Sequence, residues 1–283
     1  MFHPARSKIR TAPLWLGFLL LIAPLPASAH DYRFFKSDGS SIAYTDYGSG
    51  VPVIFLHGLG GTYESHLGRT GDVLSKEFRV LGVDQRGFGR SDKPHDGDAY
   101  GEHMANDVLN LMDRLQIRKA HLVGHSMGGI VAMYLVARHP ERFHSGVTIG
   151  NGLFSRRELT LIGWLIRGIS AWERTKAFFG AAGKPQTGSD PVAAVLAARN
   201  LKDLAVTEQQ AAALKLPLLG MRGGEEDDPN DTVERLVTIN PSVEMIRIES
   251  EDHISLLTRE AFTQGLREFL LRHNTFEQSR IGK

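Results

Sequence analysis

After residue 30 the chain opens with two β-rich stretches, Tyr32 to Lys36 and Ser41 to Tyr47, and the Asp38-Gly39 pair between them predicts a hairpin. The pattern then begins to alternate. Val53-Ile54-Phe55-Leu56 is a short apolar run closed by glycine-rich sequence, as a buried parallel strand requires. Tyr63 to Lys76 predicts a helix and Arg79 to Val83 a strand. Val108, Leu111, Met112 and Leu115 recur at helical spacing over Asp107 to Leu115. Ala120 to Val123 (strand), Gly129 to Arg138 (helix) and Val147 to Ile149 (strand) continue the series. Strands that alternate with helices imply right-handed crossovers and a mostly parallel central sheet flanked by helices, an α/β fold.

The alternation stops between Asn151 and about Leu214. Here Leu159, Leu161, Ile162, Trp164, Leu165, Ile166, Ile169 and Trp172 predict helices with one broad apolar face. Strand pattern resumes at Leu216 to Leu219 and again at Val243 to Ile248, before a closing helix around Ala261 to Leu271. The expected organisation is therefore one core in two parts, 30–150 and 215–283, interrupted by a helical cap insertion at 151–214.

Composition adds limits. At 283 residues, with 42% hydrophobic and 23% charged positions, the chain is neither disordered nor a multi-span membrane protein. It has no cysteine, which removes disulfides, thiolate metal sites and cysteine nucleophiles. Arg6, Lys8 and Arg10 precede the apolar run Leu14 to Ala23, and Ala27-Ser28-Ala29 follows it. This is the layout of a secretory signal peptide over 1–29. Cleavage after Ala29 would leave 254 residues, periplasmic or secreted; an uncleaved anchor is the other reading. Removing three of 33 basic residues and none of 32 acidic ones turns a net charge of +1 into −2. That surface has no basic footprint for nucleic acid.

The chemical signal is Gly124-His125-Ser126-Met127-Gly128-Gly129, set between a predicted strand and a predicted helix. A serine on so sharp a turn needs tiny residues two before and two after it, because neighbouring backbone must come close. Both are glycine here. The turn lifts the hydroxyl clear of the sheet, and the helix N-terminus faces the place where negative charge forms. Ser126 is the candidate nucleophile. His121 and His125 lie four apart, but on a strand and a turn, so they do not form a helical metal-binding pair.

With these residues the sequence resembles the α/β-hydrolase family over nearly the whole chain after the leader. Three further motifs carry the resemblance. His57-Gly58-Leu59-Gly60-Gly61 follows the first predicted buried strand, and by the resemblance the backbone N–H of Leu59 is one oxyanion donor and that of Met127 the other. His57 itself reads as a structural loop residue. Asp84-Gln85-Arg86-Gly87-Phe88-Gly89-Arg90-Ser91-Asp92 matches a family loop in which Arg86 braces rather than reacts. His253, in Ser250-Glu251-Asp252-His253, holds the family's place for the general base, although many relatives have glycine where Asp252 stands. His273 is the only other downstream histidine and falls at the closing helix. By the same resemblance the triad acid would follow the strand that ends near Met221. A Gly-x-x-acid spacing reaches Asp227 from Gly224 and Glu226 from Gly223, and the Arg-Gly-Gly-x-x-Asp run is closer to relatives whose aspartate stands where Asp227 does.

The resemblance implies a carboxylic ester hydrolase that forms an acyl-enzyme on Ser126 and needs no cofactor or metal. Its partner is a small-molecule ester or related carbonyl substrate. Alternatives within the same fold are a lactone or carbon–carbon bond hydrolase and a non-catalytic small-molecule binder.

Overall fold

The structure, a computed structural model, describes residues 30–168, 190–225 and 231–274. The expected leader, Ile169 and Trp172 of the cap, and both acid candidates, Glu226 and Asp227, lie outside the described residues.

The chain begins with a hairpin of β1 (Tyr32–Ser37) and β2 (Ser40–Thr45). Its two-residue turn places Asp38 at φ 44° and Gly39 at φ 81°, the left-handed pair that a tight antiparallel hairpin requires. A two-residue strand, β3 (Tyr47–Gly48), is followed by β4 (Pro52–Leu56) and β5 (Arg79–Asp84). The predicted helix between β4 and β5 is a π-helical turn, Glu64–Gly68, continued by α1 (Arg69–Leu74). Then come α2 (Glu102–Arg114), β6 (Ala120–His125), α3 (Met127–Arg138) and β7 (Phe143–Ile149). α2 starts five residues before the stretch read from sequence, because Met104 and Ala105 extend its buried face.

The main sheet runs β1-β2-β5-β4-β6-β7-β8-β9, where β8 is Leu218–Gly223 and β9 is Glu244–Ile248. From β5 to β9 every pairing along this order is parallel; the β1–β2 hairpin and β3 pair antiparallel. Two apolar layers cover the sheet. On one side lie α2, α3 and α7 (Thr232–Ile239), the last absent from the sequence reading. On the other, α1 and α8 (Glu260–Arg272) bury Leu74, Phe262, Leu266 and Phe269 against β4 to β8. α3 is enclosed all round, and its residues from Met127 to Val136 are buried.

Between β7 and β8 the described α-helices are α4 (Arg156–Gly168), α5 (Pro191–Asn200) and α6 (Glu208–Ala213), with a 3-10 turn at Leu201–Leu204. Asp190 caps α5 by accepting from the Val192 and Ala193 amides at 2.9 and 3.0 Å, with Pro191 at the first helical position. Thr207 and Gln210 form a capping box on α6. The broad apolar face expected of α4 is divided. Leu159, Ile162, Gly163 and Ile166, spaced at helical intervals, turn inward, whereas Leu161, Trp164 and Leu165 are exposed. Close packing explains the narrow inward stripe: a Cβ on Gly163 would lie 3.0 Å from the Arg199 backbone of α5.

Candidate active site

β4 leads to β5 on one side, and the chain then returns to place β6 on the other side of β4. Such a reversal opens a crevice beyond the strand ends, where open α/β sheets bind ligands. Leu56 is in register with Gly124, so both strands end level at this crevice.

Ser126 stands there at φ 51° and ψ −116°, a backbone conformation that a residue with a side chain adopts only when its surroundings enforce it. Those surroundings are specific. The Ser126 amide donates to the Ile149 carbonyl at 2.8 Å, and the Ser126 carbonyl accepts from Gly129 N–H at 2.8 Å. Asn151 Nδ2 donates to the same carbonyl at 2.6 Å, and Asn151 is itself held by the Thr148 hydroxyl at 2.9 Å. The flanking glycines are required by contact. A Cβ on Gly124 would lie 2.1 Å from the Gly128 carbonyl oxygen, and one on Gly128 would lie 2.3 Å from that of Leu56. Met127 opens α3, so its N–H is among the first-turn amides with no acceptor within the helix.

The loop after β4 carries Gly58 and Leu59 into the same cleft as Ser126. His57 anchors this loop and does not enter the cleft. Its Nδ1–H donates to the Gly58 carbonyl at 2.7 Å, and its Nε2 accepts the Gln85 amide at 2.9 Å. Its own carbonyl accepts from Gln85 Nε2 at 2.6 Å and from Gly128 N–H at 3.1 Å. Burial holds its pKa below the usual imidazole value. The Asp84 to Asp92 loop is a brace as well. Asp84 accepts the amides of Tyr63 and Arg90, and a Cβ on Gly89 would strike its carboxylate at 2.2 Å. Arg86 is buried, forked onto Asp107 at 2.7 and 3.0 Å, and also donates to the Ser37 and Ala99 carbonyls. It therefore ties β1, α2 and the loop before α2 together.

His253 lies in a turn after β9 and lines the cleft beside Ser126, with Ile254 next to it. Asp252 shapes this turn: its Oδ1 accepts the Ile254 and Ser255 amides at 2.8 and 2.7 Å, which keeps its carboxyl below the ordinary aspartate range. His273 is remote, at the end of α8, where its Nε2 faces Glu244. The loop after β8 runs alongside the segment that carries His253. Gly224 N–H donates to Ile248 and Glu225 N–H to Glu251, at 2.8 and 3.0 Å. Gly224 and Glu225 thus tie the loop after β8 to β9 and to the segment that carries His253.

Two more histidines occupy the cleft. His66, on the π-helical turn, packs its ring 5.0 Å from that of His125, which is 4.9 Å from that of His253. The Gly58 amide donates to His66 Nδ1 at 3.1 Å. Burial lowers the pKa of His66 to about 3 and that of His125 well below its ordinary value, so both rings are neutral at physiological pH. Sequence spacing gives no sign of this cluster, since its members come from separate segments of the chain; nor does it mark Asn151 as a brace. Among the described residues no group of three or more His, Asp or Glu side chains is placed to hold a metal ion.

A sequence profile described as alpha/beta hydrolase fold matches residues 51–204. The chain belongs to the α/β-hydrolase fold family. Over 94 residues it is 42% identical to an AB hydrolase superfamily protein, YisY, of Bacillus subtilis, a stretch covering 33% of this chain and 35% of that protein. It is 34% identical over 108 residues to an epoxide hydrolase of Caballeronia sordidicola, covering 38% of this chain and 33% of the relative. The chain thus spans about a third of the length of these curated relatives. Among solved structures, the enol-lactonase from Burkholderia xenovorans LB400 matches with a TM-score of 0.71 and 24% identity, over 84% of this chain and 100% of that one.

Proposed function

We propose that this protein is a serine hydrolase that cleaves a carboxylic ester through an acyl-enzyme on Ser126. The observation that carries this reading is the strained backbone of Ser126 at the mouth of α3, in one cleft with His253 and Leu59. His253 takes the hydroxyl proton as Ser126 Oγ attacks the carbonyl carbon, and Asp227 holds the imidazole tautomer and stabilises its cationic form. The tetrahedral oxyanion receives the N–H groups of Leu59 and Met127, each donor contributing about 3 kcal/mol to the transition state. His253 then protonates the departing alcohol. Water, deprotonated by His253, attacks the acyl-enzyme and releases the acid.

A serine at the elbow supports carbonyl chemistry over epoxide opening, which needs a carboxylate nucleophile to form an ester at a saturated carbon. Lactones are a second substrate class: they are cyclic esters, and a structural neighbour is an enol-lactonase. Residues 1–29 fit an export signal, so the working protein would begin at His30 outside the cytoplasm. Mass spectrometry of the exported protein tests this, and an N-terminus at Met1 would refute it.

A fluorophosphonate probe tests the function. Labelling of the wild type that is absent in Ser126→Ala is the expected result, and a folded but unlabelled wild type would instead identify a binding protein. A series of p-nitrophenyl esters of increasing chain length, run beside lactones of matched size, then assigns the substrate. For the acid, Asp227→Asn is expected to lose activity severely and Glu226→Gln to keep it; the reverse pattern would move the role to Glu226.

A further inference from the structure

The side chain of His125 has no part in the mechanism above, yet it lies between the loops that the mechanism needs. Its Nε2 is 2.9 Å from the backbone carbonyl of His253. A carbonyl only accepts, so this nitrogen bears the hydrogen. A neutral imidazole has one N–H, and Nδ1 is therefore a lone pair. That nitrogen abuts the oxyanion loop: it is 3.2 Å from His66 Nδ1, and a Cβ placed on Gly58 would be 2.9 Å away from it. His66 Nδ1 in turn accepts the Gly58 amide at 3.1 Å. His66 also backs Gly61, whose hypothetical Cβ would meet its ring at 2.5 Å. The His125 ring is fully buried and cannot withdraw toward solvent.

We propose that His125 is a positioning residue, a strut that sets the loop carrying His253 at a fixed distance from the oxyanion loop. This rests on the reading of Ser126 and His253 as nucleophile and base. The backbone of His253 accepts a hydrogen bond from the residue immediately before the nucleophile, so one side chain links the proposed base and nucleophile segments directly. On the other side the Nδ1 lone pair of His125 meets that of His66 Nδ1 with no hydrogen between them, so this approach limits the ring by repulsion and supplies no hydrogen bond. Near-attack geometry is sensitive to such placement, since an error of about 1 Å can cost on the order of 100-fold in rate.

The deciding comparison is His125→Gln against His125→Asn, followed by kcat and KM on p-nitrophenyl acetate per folded molecule. A glutamine amide reaches as far as imidazole Nε2 and can donate to the His253 carbonyl, whereas asparagine reaches only as far as Nδ1. His125→Gln is expected to keep kcat within about fivefold and His125→Asn to lose about 30-fold or more, with KM within about threefold in both. Equal kcat values for the two, or a loss confined to KM, would overturn the strut. A measurement on the wild type does not depend on either variant folding: imidazole ¹⁵N shifts should report His125 as the Nε2–H tautomer, and an Nδ1–H tautomer would overturn the proposal. Failure of the underlying reading looks different, because a wild type that neither reacts with a fluorophosphonate nor turns over ester removes the reaction itself.

Discussion

β6 carries a buried histidine near each end, and their fates differ. His121, second in the strand, hydrogen-bonds Ser145 on β7 at 2.7 Å and packs beside Phe78 and His144. Its Nε2 is buried without a partner among the described residues. His125, four residues on, meets His66 beside the Gly58 loop on one side and the His253 carbonyl on the other. Burial depresses both pKa values, that of His121 to about 3. A perturbed titration therefore does not by itself mark a functional site. What separates them is the end of the strand: only the carboxyl end faces the crevice where the strand order reverses.

The largest effect should come at that end. Ser126→Ala and His253→Ala are each expected to lower turnover by about 10⁴–10⁶, and near-normal turnover in either would remove that residue from the mechanism. Gly128→Ala comes next. Its methyl would drive into the Leu56 carbonyl region, and a stability loss of about 2–3 kcal/mol is expected in urea unfolding. An unchanged midpoint would show that β4 and the elbow are not in tight contact.

His121→Leu sharpens the contrast at the other end of the strand. Turnover at pH 8 should stay within about twofold of wild type, in keeping with a role in packing. The pH dependence of stability should change more. A folded-state pKa of about 3 lies below the unfolded value near 6.5, so the unfolded chain binds the extra proton between them. Stability from the neutral ring is thus complete above pH 6.5 and lost as pH falls toward 3, by up to about 1.4 kcal/mol per pH unit. Melting temperatures of His121→Leu should fall less steeply than wild type between pH 7 and 5; parallel curves would mean that His121 is not protected. The smallest effect is expected in the cap. Leu165 is 70% exposed, and Leu165→Ser should move stability by no more than about 0.5 kcal/mol. A larger loss would show that this face of α4 is covered in solution.

The same division between strand ends and cap governs what could be read from sequence. The hairpin at Asp38-Gly39, the strands from β4 to β9 and the glycines of the elbow are local patterns, and each has a local cause in backbone geometry or alternation. The histidine cluster does not: residues 57, 66, 125 and 253 belong to separate segments, a loop, a π-helical turn, the end of β6 and the turn after β9, which the sheet order brings together. Asn151 supports Ser126 through one hydrogen bond from the loop just beyond β7, which no spacing rule encodes. In α4 the eye sees a continuous apolar face, but α5 comes so close at Gly163 that only a narrow stripe can be buried. α7 is eight residues long and buries little more than Val233 and Leu236, too short a pattern to stand out after an acidic run.

The glycine contacts around the elbow also bear on attempts to retarget this cleft. At 124 and 128 the available alphabet is a single letter, because backbone oxygen atoms already occupy the space a side chain would need. Leu59 and Ile254 reach the same cleft with side chains whose identity is not tied to a backbone hydrogen bond in the mechanism. A mutant library aimed at changing what this cleft accepts would do best to spend its diversity on that pair and leave the turn untouched.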